Sequence, residues 1–243
     1  MEVVSFDEVA STNDECLKLA LGGAASGTAV TARRQTNGRG RLGRSWLSLD
    51  GDNIHVSVLH RTRRPPGAMS GLTLDVGSAV HGVLLAAGVA PRLKWPNDIL
   101  IHGAKVAGIL CELHDDGAGG HFVVIGVGIN VEGTRLPAEL KTATTLALEL
   151  GHAVGVAAPG VAALEGQVVF AVREAARRYE VRGRPDVESW KGRSDDVGKR
   201  VRSVADGRVA TVVGIASDGA LLLIWDGRQS AEPFLAGELE QVL

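Results

Sequence analysis

At 243 residues, with 45% hydrophobic and 22% charged content and a formal net charge of −2, the chain reads as globular: one large domain, or one plus a smaller one. That balance argues against a dedicated, strongly basic nucleic-acid binder. No apolar run is read as approaching the roughly 20 residues that cross a bilayer, and Glu2, Asp7 and Glu8 stand where a secretory signal would be basic.

In chain order, residues 2–6 read as a short strand. A helix follows from Ser11-Thr12-Asn13 to about Leu21, stopped by Gly22-Gly23. Thr12 and Glu15 have the spacing of a capping box; the alternative is that the three small polar side chains hold a neutral ligand head. Cys16 and Cys111 have no metal or disulfide spacing, which points to a reducing cytoplasm, and Cys111 reads as a small core residue rather than a nucleophile.

Residues 29–32 form a strand that leads into the most informative stretch. Between positions 33 and 44 five arginines are interleaved with three glycines, without helix or strand periodicity. Glycine lets a backbone approach a ligand closely, and arginine offers a fixed fork of donors to carboxylate and phosphate oxygens. The stretch is either a clamp for a small anion or a solvated basic turn.

Residues 53–60 alternate as a half-buried strand, with Ile54, Val56 and Val58 on one face and Asn53, His55 and Ser57 on the other. His55 and His60 read as structural or exposed. Residues 70–87 carry the apolar stripe of a helix. Lys94-Trp95-Pro96-Asn97-Asp98 interrupts the next strand, because proline cannot donate to a ladder, and its polar residues look like a site rather than core. A short hairpin turn at His102-Gly103-Ala104 leads to a return strand over 105–113. Period two puts Lys105 on the face of Ala107, Ile109, Cys111 and Leu113, either snorkelling to water or reaching for an anion.

In the strand 123–131 one face is wholly apolar, while the other holds Val124, Gly126, Gly128 and Asn130. Something lies against that bare backbone, either a close-packed helix or a ligand. A linker from Arg135, helices over 142–150 and 161–181, a break at 183–185 and a short helical piece to about Lys191 follow. Asp-Gly pairs at 206, 218 and 226 then separate short β-rich runs at 199–204, 208–216, 220–226 and 228–235, giving a small antiparallel barrel over 194–243.

Taken together, Ser11-Thr12-Asn13, Gln35 with Gly38-Arg39-Gly40-Arg41-Leu42-Gly43-Arg44-Ser45-Trp46, Lys94-Trp95-Pro96-Asn97-Asp98, Lys105-Val106-Ala107-Gly108-Ile109-Leu110 and Gly126-Val127-Gly128-Ile129-Asn130 resemble the biotin protein ligases, in order and spacing. The resemblance implies an α+β fold: a mixed β-sheet with packed helices, like class II aminoacyl-tRNA synthetases and biotin ligases, over 1–193, then an SH3-like β-barrel over 194–243. Larger bacterial members carry an N-terminal winged-helix domain. This chain begins too close to Ser11 for one, so the monofunctional type is expected.

The resemblance also implies the reaction. Biotin and ATP give biotinyl-5′-AMP and pyrophosphate, and the biotinyl group passes to one lysine of a biotin carboxyl carrier domain. Ser11, Thr12, Asn13, Gln35, Gly38 and Gly108 would hold biotin, with Arg39, Gly40, Arg41 and Lys105 over its carboxylate. Arg39, Arg41, Arg44, Trp46, Asn53, Lys94, Asn97 and Asn130 would surround ATP. Arg39, Arg41 and Lys105 would be catalytic. Magnesium is implied on the phosphates, with its ligands unassigned, and neither nucleic acid nor membrane is an expected partner. A homodimer is compatible with the sequence. Physically, a carboxylate must attack a phosphate, both anions, and positioned cations remove that repulsion without a protein nucleophile. The neighbouring alternatives are a lipoate or octanoate ligase sharing the fold, a nucleic-acid-binding protein using the arginine loop, and an interaction module without ATP turnover.

Overall fold

A computed structural model of the chain describes residues 2–242 apart from 50–52, 118, 134–135, 138–139, 141 and 152–159. The elements run β1 (Val3–Val9), α1 (Thr12–Leu21), β2 (Ala29–Gln35), the two-residue strands β3 (Gly38–Arg39) and β4 (Ser45–Trp46), β5 (Ile54–Thr62), α2 (Leu72–Ala86), β6 (Arg92–Lys94), β7 (Asp98–Ile101), β8 (Ala104–Asp115) and β9 (His121–Ile129). After them come α3 (Leu146–Gly151), α4 (Val161–Arg182), α5 (Val187–Lys191) and five short strands, β10 (Arg200–Ser203), β11 (Val209–Ile215), β12 (Leu221–Trp225), β13 (Glu232–Phe234) and β14 (Leu239–Gln241).

The main sheet has the order β1-β2-β5-β9-β8-β7-β6. Only β1 and β2 run parallel; every other pair is antiparallel. Alternation in β9 explains the layers. Val123, Ile125, Val127 and Ile129 face the core formed with α2 and α4. On the reverse face Phe122 and Val124 pack with Cys16 and Ala20 of α1. Each valine, isoleucine or phenylalanine side chain so withdrawn from water contributes about 1.5–3 kcal/mol. Further along that reverse face, Gly126 and Gly128 leave bare backbone.

Several expectations change here. The strand read as half-buried, β5, is buried along nearly its whole length, because α1 covers its polar face. Residues 66–86 are, by length and a mean hydropathy of 1.3, apolar enough to cross a membrane. In this fold they end in a core helix: α2 packs on β6, β7, β8 and α4. The 142–150 helix starts later, at Leu146, where the Thr145 hydroxyl accepts from Leu148 N at 3.1 Å. Arg135, the expected start of the linker, lies outside the described residues.

Turn chemistry agrees with the sequence. His102 and Gly103 take φ of 49° and 83° between β7 and β8, and α4 ends on Gly183 at φ 73°. Gly207, Gly219 and Gly227 of the Asp-Gly pairs all have positive φ. The final unit is a five-stranded antiparallel sheet, ordered β13-β12-β11-β10-β14, consistent with a small SH3-like barrel. Its last strand was not read from the sequence: three residues, two of them polar, carry too little pattern. The Lys94–Asp98 segment is the turn between β6 and β7, and the final unit lies against it. Trp95 Nε1 donates to Gly219 O at 2.9 Å, Trp95 N donates to Asp196 Oδ2 at 2.9 Å, and the Trp95 and Phe234 rings stand 5.9 Å apart.

Candidate functional site

A cavity of about 190 Å³ opens on the reverse face of the sheet, beneath the arginine loop. Its floor is Gly126, Val127 and Gly128 of β9 with Gly108 of β8. The absent side chains matter here. A Cβ on Gly128 would lie 2.5 Å from Cε2 of Trp46, and one on Gly126 would collide with the Asn13 amide. The bare strand therefore admits an indole at one point and an amide one step along, about 7 Å away.

At the Gly126 end Thr12, Asn13 and Gln35 present neutral polar groups, with the Arg39–Glu112 ion pair beside Asn13. Gln35 Oε1 accepts from Thr12 N at 2.7 Å and from Thr12 Oγ1 at 3.0 Å. The capping-box reading is thus replaced: Ser11 makes no side-chain cap, Glu15 pairs with Lys18, and Gln35 satisfies the orphan amide at the start of α1 from another strand. Ser57 Oγ, fully buried, lies 2.8 Å from Thr12 Oγ1 and donates to Asn13 Oδ1 at 2.5 Å. Neutral donors and acceptors held this way suit an uncharged polar head.

At the Gly128 end the groups are charged. Lys105 Nζ lies 2.6 Å from Asp98 Oδ1 and 5.4 Å from the Trp46 ring centroid. The expected period is broken on the way: Leu100 pairs with Lys105 while Ile99 pairs with Ala107, so Val106 is an extra residue in a β-bulge. The bulge takes Lys105 off the apolar face and delivers it to the cavity. Arg41 Nη1 donates to Asn97 Oδ1 at 3.3 Å. Burial lowers the Arg41 pKa, and the nearby Asp98 and Glu238 oppose that shift. Arg44 is paired with Glu238, brought by the segment before β14.

The lid itself is closed by Gly40 N to Arg44 O at 2.7 Å and by Arg44 N to Arg41 O at 3.2 Å, with Leu42 at φ 56° and Gly43 at φ 74°. Arg39 is held by two carboxylates, with Nη1 2.7 Å from Asp14 Oδ1 and Nη2 2.9 Å from Glu112 Oε2.

Of the residues expected at the site, Ser11, Thr12, Asn13, Gln35, Arg39, Gly40, Arg41, Arg44, Trp46, Lys94, Asn97, Lys105 and Gly108 line this cavity. Three do not. Gly38 sits behind it, where a Cβ would meet Trp46 O and the Gln35 amide. Asn53 Oδ1 accepts from Val131 N at 2.7 Å, and Asn130 Nδ2 donates to Thr144 O at 3.1 Å, so both amides brace the end of β9 instead. Sequence reasoning missed the 237–239 segment on the lining, and Ser57, Asp14 and Glu112, which lie outside it and hold Asn13 and Arg39. Ser57 alone gave a signal, on the polar face of its strand. Among the described residues no three His, Cys, Asp or Glu side chains cluster to hold a metal.

This geometry has counterparts among known proteins. The model of the biotin/lipoate A/B protein ligase family matches residues 5–130, more than half of the chain. The chain belongs to that family. Within the biotin/lipoate ligase family, it is 36% identical over 231 residues to a biotin–[acetyl-CoA-carboxylase] ligase of Mycobacterium tuberculosis, covering 91% of this chain and 82% of that one. It is 34% identical over 223 residues to a bifunctional ligase/repressor BirA of Bacillus spizizenii, covering 89% and 67%. A biotin protein ligase from Aquifex aeolicus, solved in complex with biotin and ATP, superposes with a TM-score of 0.80 at 28% identity, covering 99% of this chain and 98% of that one. The expected biotin-ligase-like fold is therefore the fold observed.

Proposed function

We propose that the protein is an ATP-dependent biotin protein ligase. The biotin carboxylate attacks the α-phosphate of ATP, pyrophosphate leaves, and biotinyl-5′-AMP forms. The ε-amine of one lysine on a biotin carboxyl carrier domain then attacks the acyl carbon, forming an amide, and AMP leaves. The observation that carries this reading is the polarity of the cavity: the neutral hydrogen-bonding groups of Thr12, Asn13 and Gln35 at the Gly126 end, Arg41 and Lys105 at the Gly128 end, and a loop lid above. Named relatives and a structural neighbour solved with biotin and ATP support it.

The geometry supports a division of roles. Thr12, Asn13 and Gln35 take the uncharged head, and the buried Ser57 hydroxyl holds Thr12 and Asn13 in place. Arg41 and Lys105 offset the charge that builds between carboxylate and phosphate. Trp46, seated on the bare backbone of Gly128, offers its ring to the base, with Lys94, Arg44 and Asn97 towards the phosphates. The lid keeps water off a mixed anhydride that water would cleave. Magnesium fits as an ion carried on the nucleotide: Asp98 and Glu238 are the pocket carboxylates, each already facing a cation, which suits a metal held chiefly by phosphates and water.

We place the catalytic unit at 1–193 and the accessory β unit at 194–243, and the protein in the cytoplasm, where Cys16 and Cys111 stay as free thiols. Incubation with labelled biotin, ATP and a biotin carboxyl carrier domain tests the reading. ATP-dependent label on the carrier lysine supports it. Label from lipoate but not biotin, or none from either, overturns it.

A further inference from the structure

We propose that Glu112 is a positioning residue that joins the cavity floor to the arginine lid and so sets how long the acyl-adenylate is retained. This rests on the ligase reading above. Glu112 stands on β8 opposite Val124 of β9, in a stretch that is apolar from Val106 to Leu113 except for this residue and Gly108. The Glu112 side chain is only 28% exposed and is fully paired. Here the carboxylate has two donors from two other segments. Its Oε2 accepts from Asn13 Nδ2 at 2.7 Å and from Arg39 Nη2 at 2.9 Å, and its Oε1 lies 3.2 Å from the same Arg39 nitrogen.

The first contact fixes the floor. An ionised carboxylate only accepts, so the Asn13 amide must turn its NH2 to Glu112. Its carbonyl oxygen then faces Ser57 Oγ at 2.5 Å and lies against the bare backbone of Gly126. Glu112 thereby chooses which end of an amide the head of the substrate meets.

The second contact fixes the lid. Arg39 is the last residue before the loop, and the loop is clasped by the pairs Gly38–Trp46 and Arg39–Ser45. With Asp14 on its other nitrogen, the Arg39 guanidinium is held between two carboxylates. A cation so matched adds little to neutralising substrate anions; its task is to hold the root of the lid. Floor and lid then share one carboxylate, and a displacement of either is felt by the other.

The test is release of radiolabelled biotinyl-adenylate from the isolated enzyme complex. Glu112→Gln preserves shape and presents an amide where two donors need an acceptor. Its release rate is expected to rise about tenfold, the factor that a loss of about 1.4 kcal/mol gives. Asp14→Asn, which touches Arg39 but not Asn13, is expected to speed release while biotin affinity stays near wild type. Glu112→Gln is expected to weaken biotin as well. In an Arg39→Ala background, Glu112→Gln is expected to add little further release, a coupling that a merely structural effect would not show. Release unchanged in both Glu112→Gln and Asp14→Asn, or a Glu112→Gln effect undiminished without Arg39, would overturn the proposal. Wild-type enzyme that forms no adenylate would instead overturn the ligase reading on which it rests.

Discussion

Gly128→Ala separates the fold from the site more cleanly than any other single change. Gly128 has ordinary extended backbone in the interior of β9, with no positive φ to strain. On backbone grounds alone, alanine would be neutral or stabilising by about 0.4–1 kcal/mol, through a less flexible unfolded chain. The new methyl, however, lies 2.5 Å from Cε2, 2.7 Å from Cζ2 and 2.9 Å from Nε1 of Trp46. Ordinary carbon contacts are about 3.5–4.0 Å, so the indole must move by roughly 1 Å. Misplacement on that scale can cost a reaction about 100-fold. Trp46 also faces the Lys105 ammonium, so its movement disturbs the cation proposed to serve the reaction. The assay is pyrophosphate release at saturating biotin with ATP varied, alongside thermal melting. The expected result is kcat/KM for ATP down by about two orders of magnitude, with the melting temperature unchanged or slightly raised. Activity within about twofold of wild type would refute the need for Trp46 to sit on bare backbone.

Other predictions follow from the same geometry. Lys105→Ala should slow adenylate formation by roughly 10²–10³, the range for a lost transition-state donor; an unchanged single-turnover rate would mean that the lysine only snorkels. Gln35→Ala removes the acceptor for both Thr12 N and Thr12 Oγ1, so it should cost about 1 kcal/mol and lower the melting temperature by about 2–4 °C. It should also weaken biotin binding by calorimetry; wild-type affinity would remove Gln35 from the site. Burial lowers the His55 and His81 pKa values below 6.5, so the unfolded chain takes up their protons first as pH falls. Stability is full above pH 6.5 and drops below it, by up to about 1.36 kcal/mol per pH unit for each histidine. Urea midpoints between pH 7.5 and 5.5 should show this decline, and replacing both histidines should flatten it; an unchanged slope would contradict the assignment. Burial raises the thiol pKa of Cys16 to about 12 and of Cys111 to about 11, so neither should react quickly with an alkylating reagent at pH 8. Rapid stoichiometric labelling of the folded protein would contradict that.

Local pattern carried much of this architecture. Two-residue periodicity in β9 announced both the buried face and the bare one, and the Asp-Gly pairs announced the turns of the final unit. What could not be read was set by distant partners. Thr12 and Glu15 have capping-box spacing, yet Gln35, 23 residues from Thr12, is the group that takes the amide. Lys105 falls on the apolar face by simple alternation, and only the extra residue at Val106 delivers it to the cavity. Asn53 and Asn130 lie beside site segments, but their amides close hydrogen bonds at the end of β9. Glu238 is 194 residues from Arg44, and no local pattern links them.

The central claim is that a cationic lid brings a carboxylate onto the α-phosphate and then shelters the anhydride from water. The most direct measurement is a single turnover with labelled biotin and ATP, quenched before any carrier domain is added. The account predicts one enzyme-held adenylate per active site, its formation slowed by Lys105→Ala and by Arg41→Ala, and its transfer on addition of the carrier. Carrier labelling without a detectable adenylate, or an adenylate formed equally fast in both variants, would contradict it.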